Sequence, residues 1–446
     1  MQLADNNILG KKTVYREAFL LFIVVCAGFI YIIWGSTMLA PFFLLAVTLA
    51  CLVFLYQLDD LVLRNILIAA LMVRLLLALI QAYTAVNLPG AGVDSVTFEE
   101  HGWLNAQAWM HGTEAARTTG AYYYSTFIGI IYYFFGRFPF MAQFANILFS
   151  LLTIFLLNKT IYIITGSLRS ARMGALLMAL LPTLIVFSVI LLRETMIIMF
   201  TVVSFYYFVK WMKKGRIINI FGSFTALAAA SALHGPLFIL VWVMILIVFI
   251  YSPRDKKFRF VTSQIIPAVV IAVLAMTLAG SVITYQLPGD LSQIFTPDFL
   301  RGVIERRSLS RTTYLPEILP YSYFDLAWQT PLRVVYFLFS PFPWLISTWK
   351  DLLGFFDVLI YTGLFYLSYK GTKKLLMGNK QIVIASLLVI ATLIVMFAWG
   401  TANYGTAWRH RQKIAPYLVV LASVGVVASE KRQWLLPECS RQEDHD

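Results

Sequence analysis

Three carboxylates follow one apolar run closely, in a chain otherwise dominated by hydrocarbon side chains. Asp94, Glu99 and Glu100 lie in the stretch from Gly92 to Trp103, after a run that ends near residue 85. A carboxylate can take a proton from a hydroxyl nucleophile, and ionisable groups at the boundary of a bilayer are functional candidates by default. The sequence therefore makes Asp94, Glu99 and Glu100 candidate catalytic residues. For Asp94 the structural alternative is a solvated loop carboxylate, or a cap for the helix predicted over 98–109.

A second set of candidates consists mainly of cations, which lie in later polar segments. Arginine binds phosphate in bidentate geometry and can offset charge on a departing phosphate, so this set predicts group transfer from a lipid phosphate. The candidate substrate-binding residues are Arg193, Glu194, His234, Arg306, Arg307, Arg409, His410 and Arg411. Structural alternatives remain for Arg193 and Glu194, as a self-satisfied pair at a helix N-terminus, and for His234, as the filler of a tight turn.

The composition places these residues in a polytopic membrane protein. The 446 residues are 60% hydrophobic and 13% charged, with a mean hydropathy of +0.78, and many apolar runs approach the roughly 20 residues that span a bilayer. The net charge of +13 lies in short clusters between these runs, which is typical of contacts with membrane lipids and does not favour nucleic-acid binding. The three cysteines form no disulfide framework, and no metal-ligand spacing is recognisable, so a divalent metal ion is left open.

The positive-inside tendency orders the apolar runs into an all-α bundle of about twelve transmembrane helices, with both termini in the cytoplasm. Two segments are assigned to the interface: Tyr-rich 121–135, which would otherwise put basic clusters outside, and 331–350, which is re-entrant or interfacial because Pro341 and Pro343 break it. Arg74, near the middle of the third run, either binds lipid phosphate or pairs with a carboxylate. The predicted helices lie near 18–34, 37–56, 61–85, 139–163, 171–190, 194–212, 217–233, 235–251, 260–284, 352–370, 381–399 and 413–429.

This order predicts one integral-membrane domain over residues 1–446. It comprises an N-terminal hairpin (17–60), a core (61–285) whose first outer loop is 86–138, an outer loop with an interfacial segment (286–350), and C-terminal helices with a cytoplasmic tail (351–446). The segment 286–330 is predicted to be a polar loop, and it is unusual in its arginines. Neither an internal repeat nor a soluble domain is recognisable.

The chain resembles the GT-C superfamily of integral-membrane glycosyltransferases, in particular the bacterial protein mannosyltransferase and aminoarabinose transferase type. Asp94 to Phe98 match the acidic residue and nearby aromatic that open the first outer loop in that family, and 102–109 and 122–136 resemble its juxtamembrane helices. Leu192 to Glu194 resemble its second outer loop, although many members have an aspartate there. Trp408 to Arg411 resemble its late arginine-containing segment.

The resemblance implies a GT-C-like fold and makes the first-loop carboxylate the catalyst of an inverting displacement. The implied donor is a sugar on polyprenyl phosphate or pyrophosphate, and the acceptor is a glycan, lipid or protein at the outer side of the bacterial plasma membrane, in assembly of a cell-surface glycan. A polysaccharide polymerase of the O-antigen type is the nearest alternative, and it lacks an obligatory first-loop aspartate. A transporter or flippase for lipid-linked sugars is a second alternative. It predicts repeat-related broken helices and polar residues at the midplane of the membrane.

Overall fold

The computed structural model of the protein describes residues 36–84, 86–115, 122–259, 262–271, 273–274, 277, 296–308 and 310–433. The predicted helix 18–34 lies outside these residues, and so does about half of the predicted helix 260–284. The regular elements in the first half of the described chain are all helices. Its helices are α1 (Ser36–Tyr56), α2 (Leu61–Tyr83), α3 (Val93–Met110), α4 (Tyr122–Phe135), α5 (Pro139–Thr165), α6 (Leu168–Leu180), α7 (Pro182–Ser188) and α8 (Glu194–Lys214).

The second half adds more helices and one short antiparallel ladder. The ladder pairs β1 (Tyr251–Ser252) with β2 (Lys257–Phe258). The helices are α9 (Ile217–Leu233), α10 (Ile239–Ile250), α11 (Pro297–Arg307), α12 (Tyr323–Phe339), α13 (Trp349–Gly400), α14 (Tyr404–Arg411) and α15 (Ala415–Gln433). Short 3₁₀ segments lie at Gly235–Phe238, Thr262–Gln264 and Pro343–Leu345.

Four of these helices, α2, α5, α8 and α13, are long and apolar enough to cross a membrane. Two bent pairs, α6 with α7 and α14 with α15, would raise the number of candidate spans to six. The protein is therefore a multi-pass, all-α membrane protein, as the composition predicts. The predicted number of about twelve spans stays a prediction.

Helix α13 is 52 residues long and consists of two arms, as the separate predictions 352–370 and 381–399 require. The break is at Asn379, whose backbone angles are non-helical (φ −136°, ψ 38°). Tyr404, just beyond the end of the second arm, donates its hydroxyl to Asp351 at the start of the first arm (3.1 Å). The two ends of α13 therefore lie on the same side of the bundle, and Asn379 lies at the turn between antiparallel arms.

The sequence-predicted elements are wrong in two places. The predicted helix 171–190 is broken at Leu181 into α6 and α7, which meet at 59°, because Pro182 lacks an N–H and disfavours helical geometry in the residue before it. The predicted polar loop 286–330 contains α11 and the first residues of α12, whose Ser322 and Asp325 form a capping box. Pro331 lies inside α12, and the chain leaves helical geometry only at Ser340.

Helix α4, the Tyr-rich segment, is too short to span and remains beside α3. Its 14 residues would extend only about 21 Å, against a hydrocarbon thickness of about 30 Å. Tyr124 near its start contacts Phe98 (ring centroids 5.4 Å apart), and Arg137 just beyond its end pairs with Glu99 (2.7 Å). Because Phe98 and Glu99 are neighbours in α3, both ends of α4 stay on one side of the bundle.

Arg74 is wholly buried at the bend between α6 and α7, and it does neither of the two things expected from the sequence. It donates to the Ser150 hydroxyl (3.0 Å) and to the carbonyl oxygens of Ala70 (3.2 Å) and Ala179 (3.4 Å). Among the described residues no carboxylate pairs with it. Ala179 lies in the last turn of α6, where the break at Pro182 leaves carbonyl groups without helical partners, so Arg74 stabilises the bend.

We predict that Gly371→Ala lowers the thermal stability of the detergent-solubilised protein. A Cβ atom at Gly371 would overlap the backbone carbonyl of Leu421, because the first arm of α13 and α15 are in backbone contact there. Gly363, in the same helix, has nothing within 4 Å of its Cβ position. Gly363→Ala is the matched control, and it should keep or raise the apparent Tm, since alanine favours a helix over glycine by about 1 kcal/mol. Equal Tm values for both variants would contradict the packing described.

Candidate active site

Polar residues from four separate elements meet at one end of the bundle. The start of α3 contributes Asp94, and the junction between α7 and α8 contributes Arg193 and Glu194. The end of α9 contributes His234, and α14 contributes Arg409. Helix α8 has Glu194 as its first residue and ends at Lys214, so the cluster and the Lys-rich turn after α8 lie at opposite ends of a helix about 30 Å long.

The guanidinium of Arg409 joins the two carboxylates of this cluster. Its Nη1 donates to Asp94 Oδ2, while its Nη2 and Nε donate to Glu194 Oε1 at 2.7 and 3.2 Å. Their exposures differ greatly: the side chain of Asp94 is 56% exposed, that of Arg409 20% and that of Glu194 1%. Asp94 is therefore the carboxylate of this cluster that a substrate can reach. Glu194 holds Arg409 from the buried side of the cluster.

A buried basic residue that the sequence analysis did not select lies beneath Arg409. Lys413 Nζ is 4.0 Å from Glu194 Oε1 and 2.7 Å from Nδ1 of His410. The His410 ring stacks on Phe397 (4.5 Å between centroids, 15° between planes), and the His234 ring lies 5.3 Å from it. When Lys413 is protonated its ammonium can only donate, so His410 Nδ1 then acts as the acceptor and the proton of the neutral ring is on Nε2.

The backbone that carries Arg193 and Glu194 is fixed by Asn146 of α5. Asn146 Nδ2 donates to the carbonyl oxygens of Ile190 (2.9 Å) and Leu192 (3.3 Å) and to the Tyr124 hydroxyl (2.8 Å). These carbonyl groups lie in non-helical chain between α7 and α8, where helical partners are missing. One amide therefore anchors the α7–α8 junction and the start of α4 together.

Arg193 faces the same cluster and closes it on the side of α9. Its Nη1 donates to the Leu233 carbonyl (2.8 Å), which lies at the C-terminal end of α9, and its guanidinium lies 5.8 Å from the centre of the Phe98 ring. Burial lowers the pKa of Arg193, and the neighbouring charge of Glu194 opposes that shift. The charge of Arg193 therefore lies close enough to Asp94 for the two to interact.

Arg307, the last residue of α11, lies near the cluster, where its charge acts on His234, His410 and Lys413. Desolvation and the charges of Arg306, Arg193 and Arg409 lower its own pKa. Both Arg306 and Arg307 are exposed. Of the two arginines selected at this position from the sequence, the structure brings Arg307 to the cluster.

Two first-loop carboxylates are not part of the cluster. Glu99 forms a bidentate salt bridge with Arg137, with distances of 2.9 Å and 2.7 Å, and so it joins α3 to the end of α4. Glu100 is exposed on the outer surface of α3. Because a helix turns by 100° per residue, Asp94 and these two residues point in different directions. The catalytic role expected for Glu99 and Glu100 therefore has no geometric support.

Arg411, selected from the sequence as a substrate-binding residue, is directed into the bundle instead. Its side chain is wholly buried, and its Nη1 donates to the carbonyl oxygens of Leu338 (3.0 Å) and Ser340 (2.7 Å). Its Nη2 lies 3.6 Å from Asp357 Oδ2, and Asp357 also accepts from the Thr183 hydroxyl. We therefore assign Arg411 to positioning: it ties α14 to the break after α12 and to the first arm of α13.

Within the described ranges, no three of the His, Cys, Asp and Glu side chains are grouped so as to hold a metal ion. Asp94 and Glu194 share Arg409 between them, so their arrangement is that of an ion-pair network.

The residues that sequence reasoning missed are Lys413, Asn146 and Asp357; Arg311 was noted among the arginines of 286–330 without a role. Asn146 and Asp357 are polar groups within apolar helices, and such positions are expensive in a membrane, which is a signal visible in the sequence. Lys413 was taken as the boundary of the helix predicted from 413. Arg311, in the outer segment, donates to both oxygens of Asp351 (2.9 and 3.0 Å), so it is a structural clamp on the start of α13.

The chain is similar to one protein family over part of its length and to solved membrane-protein structures in its fold. Residues 95–286 match the family model of dolichyl-phosphate-mannose-protein mannosyltransferases. No curated protein matches the chain. Two solved structures have similar folds. ArnT from Cupriavidus metallidurans, bound to undecaprenyl phosphate, has a TM-score of 0.51 at 14% identity, and the match covers 82% of this chain and 60% of that one.

The second structure is the oligosaccharyltransferase of Archaeoglobus fulgidus in the apo form, with a TM-score of 0.52 at 12% identity over 84% of this chain. This chain covers 51% of that protein and 60% of ArnT, so it spans roughly half to three fifths of their lengths. At these identities the likeness concerns the fold. The resemblance to GT-C membrane glycosyltransferases that the sequence indicates is confirmed by this fold and by the family match.

We predict that Arg411→Ala destabilises the protein more than Arg306→Ala does. Removal of Arg411 leaves the Asp357 carboxylate buried without its cation, and breaking a buried pair in this way costs about 3–5 kcal/mol. Arg306 is exposed, so the loss of its charge should change stability little. Thermal unfolding in detergent measures the difference. Recovery of stability in Arg411→Met combined with Asp357→Leu would support the pairing, whereas an effect of Arg411→Ala no larger than that of Arg306→Ala would contradict it.

Proposed function

We propose that this protein is a membrane glycosyltransferase that moves a sugar from a polyprenyl-phosphate-linked donor to the hydroxyl group of an acceptor. The observation that carries the proposal is the reachable carboxylate of Asp94, held by Arg409 at the mouth of a cluster rich in buried cations. Such a cluster supplies the two groups that the transfer needs: a base for the acceptor and positive charge for the departing phosphate.

In the proposed reaction Asp94 is the general base. The acceptor oxygen attacks the anomeric carbon of the sugar while its proton passes to Asp94 Oδ. The bond from the anomeric carbon to the phosphate oxygen breaks, and the bonding pair leaves with the polyprenyl phosphate. Attack opposite the leaving group inverts the anomeric centre. Each atom is accounted for, because the proton lost by the acceptor is held by Asp94 and the new negative charge resides on the phosphate.

The cations of the cluster support a phosphate at this position. The three arginines Arg193, Arg307 and Arg409 outnumber the two carboxylates of Asp94 and Glu194, so the cluster has a surplus of positive charge before substrate enters. Burial lowers the pKa of Lys413 to about 7, so Lys413 adds to this surplus in part. The guanidinium of Arg409 carries five N–H donors, and those to Asp94 and Glu194 use three of them. Arg409 therefore has N–H groups left for a phosphate oxygen, beside the base.

The class of donor is inferred from the similar proteins. The matched family uses dolichyl-phosphate-mannose by its description, and the ArnT structure holds undecaprenyl phosphate. Both are polyprenyl monophosphates, and the first of them also carries a sugar. We infer a polyprenyl monophosphate donor and an acceptor belonging to a cell-surface glycan or glycoconjugate.

We place the reaction on the outer side of a bacterial plasma membrane, with both termini cytoplasmic. The turn between α8 and α9 carries Lys213, Lys214 and Arg216, and Lys213 bonds to Asn379 at the turn of α13 (2.6 Å). Basic clusters favour the cytoplasmic side. The Asp94 cluster lies at the other end of α8 and would therefore face outward.

We predict that Asp94→Asn lowers turnover of a lipid-linked sugar by a factor of about 10²–10⁴, the usual contribution of a positioned base. The amide keeps the shape of the side chain but cannot accept the proton, so donor binding should persist. The measurement is single-turnover transfer by purified protein in lipid nanodiscs, with donor binding determined separately.

Glu100→Gln and Glu99→Gln are the matched controls in the same helix, because one side chain is exposed and the other is bonded to Arg137. Both should transfer at close to the parental rate. Parental turnover by Asp94→Asn together with an inactive Glu99→Gln or Glu100→Gln would move the base within the loop. Full activity of all three would remove this loop from the chemistry and favour a transport function.

The proposed sidedness is tested by cysteine labelling in a chain whose three native cysteines are replaced by serine. Thr113 follows α3 on the side of the cluster, and Lys214 lies at the opposite end of α8, and both are exposed. Thr113→Cys should react with an impermeant maleimide in intact cells, whereas Lys214→Cys should react only after permeabilisation. Labelling of Lys214→Cys in intact cells would mean that the orientation is inverted.

A further inference from the structure

The buried carboxylate of Glu194 depends on a cation that it shares with another group. Its Oε1 accepts both N–H groups from Arg409, and the same guanidinium also bonds to Asp94. Its Oε2 is buried and has no hydrogen-bond partner among the described residues. An ionised carboxylate at 1% exposure needs a close cation, because the desolvation cost of an unpaired buried charge is several kcal/mol.

Lys413 is the second cation beside this carboxylate. Its ammonium is 1% exposed and lies 4.0 Å from Glu194 Oε1. It is held in place from the other side by His410 Nδ1 at 2.7 Å, and the Phe397 ring lies 5.2 Å below it. His410 is in turn stacked on Phe397 and packed beside His234. Lys413 is buried too deeply to reach a substrate that enters beside Asp94, so its charge acts on Glu194.

We propose that Lys413 is a positioning residue that serves as the reserve counter-ion of Glu194, so that Arg409 can turn its guanidinium toward the donor phosphate without leaving a buried carboxylate unpaired. This inference rests on the proposed function for the phosphate, but the pairing of Lys413 with Glu194 is independent of it. His410 completes the arrangement, since its Nδ1 fixes the direction of the ammonium.

The geometry gives this role a specific consequence. A phosphate that binds to the remaining N–H groups of Arg409 shares the charge of the guanidinium with Glu194, so it weakens the Arg409–Glu194 pair. If Lys413 were absent, Glu194 would retain Arg409 strongly, because one of its two ion pairs would be gone. A donor would then have to break a buried ion pair to bind. Loss of Lys413 should therefore weaken donor binding, and this effect should require the carboxylate of Glu194.

A double-mutant cycle tests this dependence. Lys413→Met removes the charge while it approximately keeps the length and the apolar stem of the side chain. Measured as donor Kd in nanodiscs, with a polyprenyl monophosphate as the probe, Lys413→Met should weaken binding about tenfold, as expected for a charged interaction worth roughly 1.4 kcal/mol. In a Glu194→Gln background the same change should alter Kd by less than about twofold, because the carboxylate that Lys413 serves is gone.

A tenfold effect of Lys413→Met in both backgrounds would overturn the proposal, since Lys413 would then act on the ligand or on the fold directly. Lys350→Met is the matched control: Lys350 is exposed and its ammonium lies over the Trp349 ring (5.7 Å), so Kd should not change. The turnover rate at saturating donor should fall much less than the affinity in Lys413→Met. A fall in rate with unchanged Kd would also contradict a positioning role of this kind.

Stability supplies a readout that needs no donor. Lys413→Met alone leaves Glu194 short of one cation and should lower the apparent Tm by about 5 °C or more, while Glu194→Gln combined with Lys413→Met should recover at least half of that loss. Recovery together with absent donor binding by the parent protein would support the Lys413–Glu194 pairing and reject the proposed donor. If the single variant does not fold, folding of the double variant supports the pairing, and failure of the double variant where Glu194→Gln alone folds overturns it.

Discussion

The arrangement at the active end of the bundle depends on one buried carboxylate. Glu194 is the first residue of α8, where the helix dipole favours negative charge, yet its side chain is almost entirely removed from water. Cations must therefore lie close to it, and Arg409 of α14 and Lys413 of the turn after α14 do so. The reachable Asp94 then takes its place on the far side of Arg409. The candidate base and the late arginine segment, 315 residues apart, are brought together by this requirement.

Broken helices supply the polar groups that surround this charge. Pro182 breaks one candidate span at 59°, and a turn after Arg411 breaks another at 60°. Non-helical backbone at membrane depth is tolerated where it is buried in protein, because each free carbonyl needs a donor. Arg74, Asn146 and Arg411 supply those donors at three such places. The buried side chains that look anomalous for a membrane interior are therefore the ones that permit the chain to bend beside the site.

The sequence predicted much of this because its strongest signals are local. Apolar length predicted a multi-pass membrane protein, and the predicted helices near 61–85, 139–163 and 194–212 match three of the candidate spans. The orientation predicted from the basic clusters stays a prediction. The Tyr-rich segment was assigned to the interface from its length, its tyrosines and the charge pattern. The site was less predictable. Asp94, Arg193, Glu194, His234, Arg307 and Arg409 were selected as polar residues at one predicted face, but Arg411 was selected with them although it is buried against Asp357. One residue, His410, separates Arg409 from Arg411, and only the direction of each side chain on a short helix distinguishes a candidate ligand contact from a structural one. Lys413 was missed for the same reason, since its role depends on a partner in α8.

The contact between Gly371 of α13 and Gly425 of α15 restricts how these two helices can move relative to each other. Backbones touch there, so the first arm of α13 and α15 cannot slide past each other without separating, and they behave as a single strut. That strut begins near Lys413 at one end, and through Asp351 it is fastened to Arg311 and Tyr404 at the same end. Among the four candidate spans of the described residues, α2 buries the smallest share of its apolar stretch inside the protein, so it presents the most apolar surface to lipid. The polyprenyl chain of the proposed donor would lie against such a surface, away from the strut.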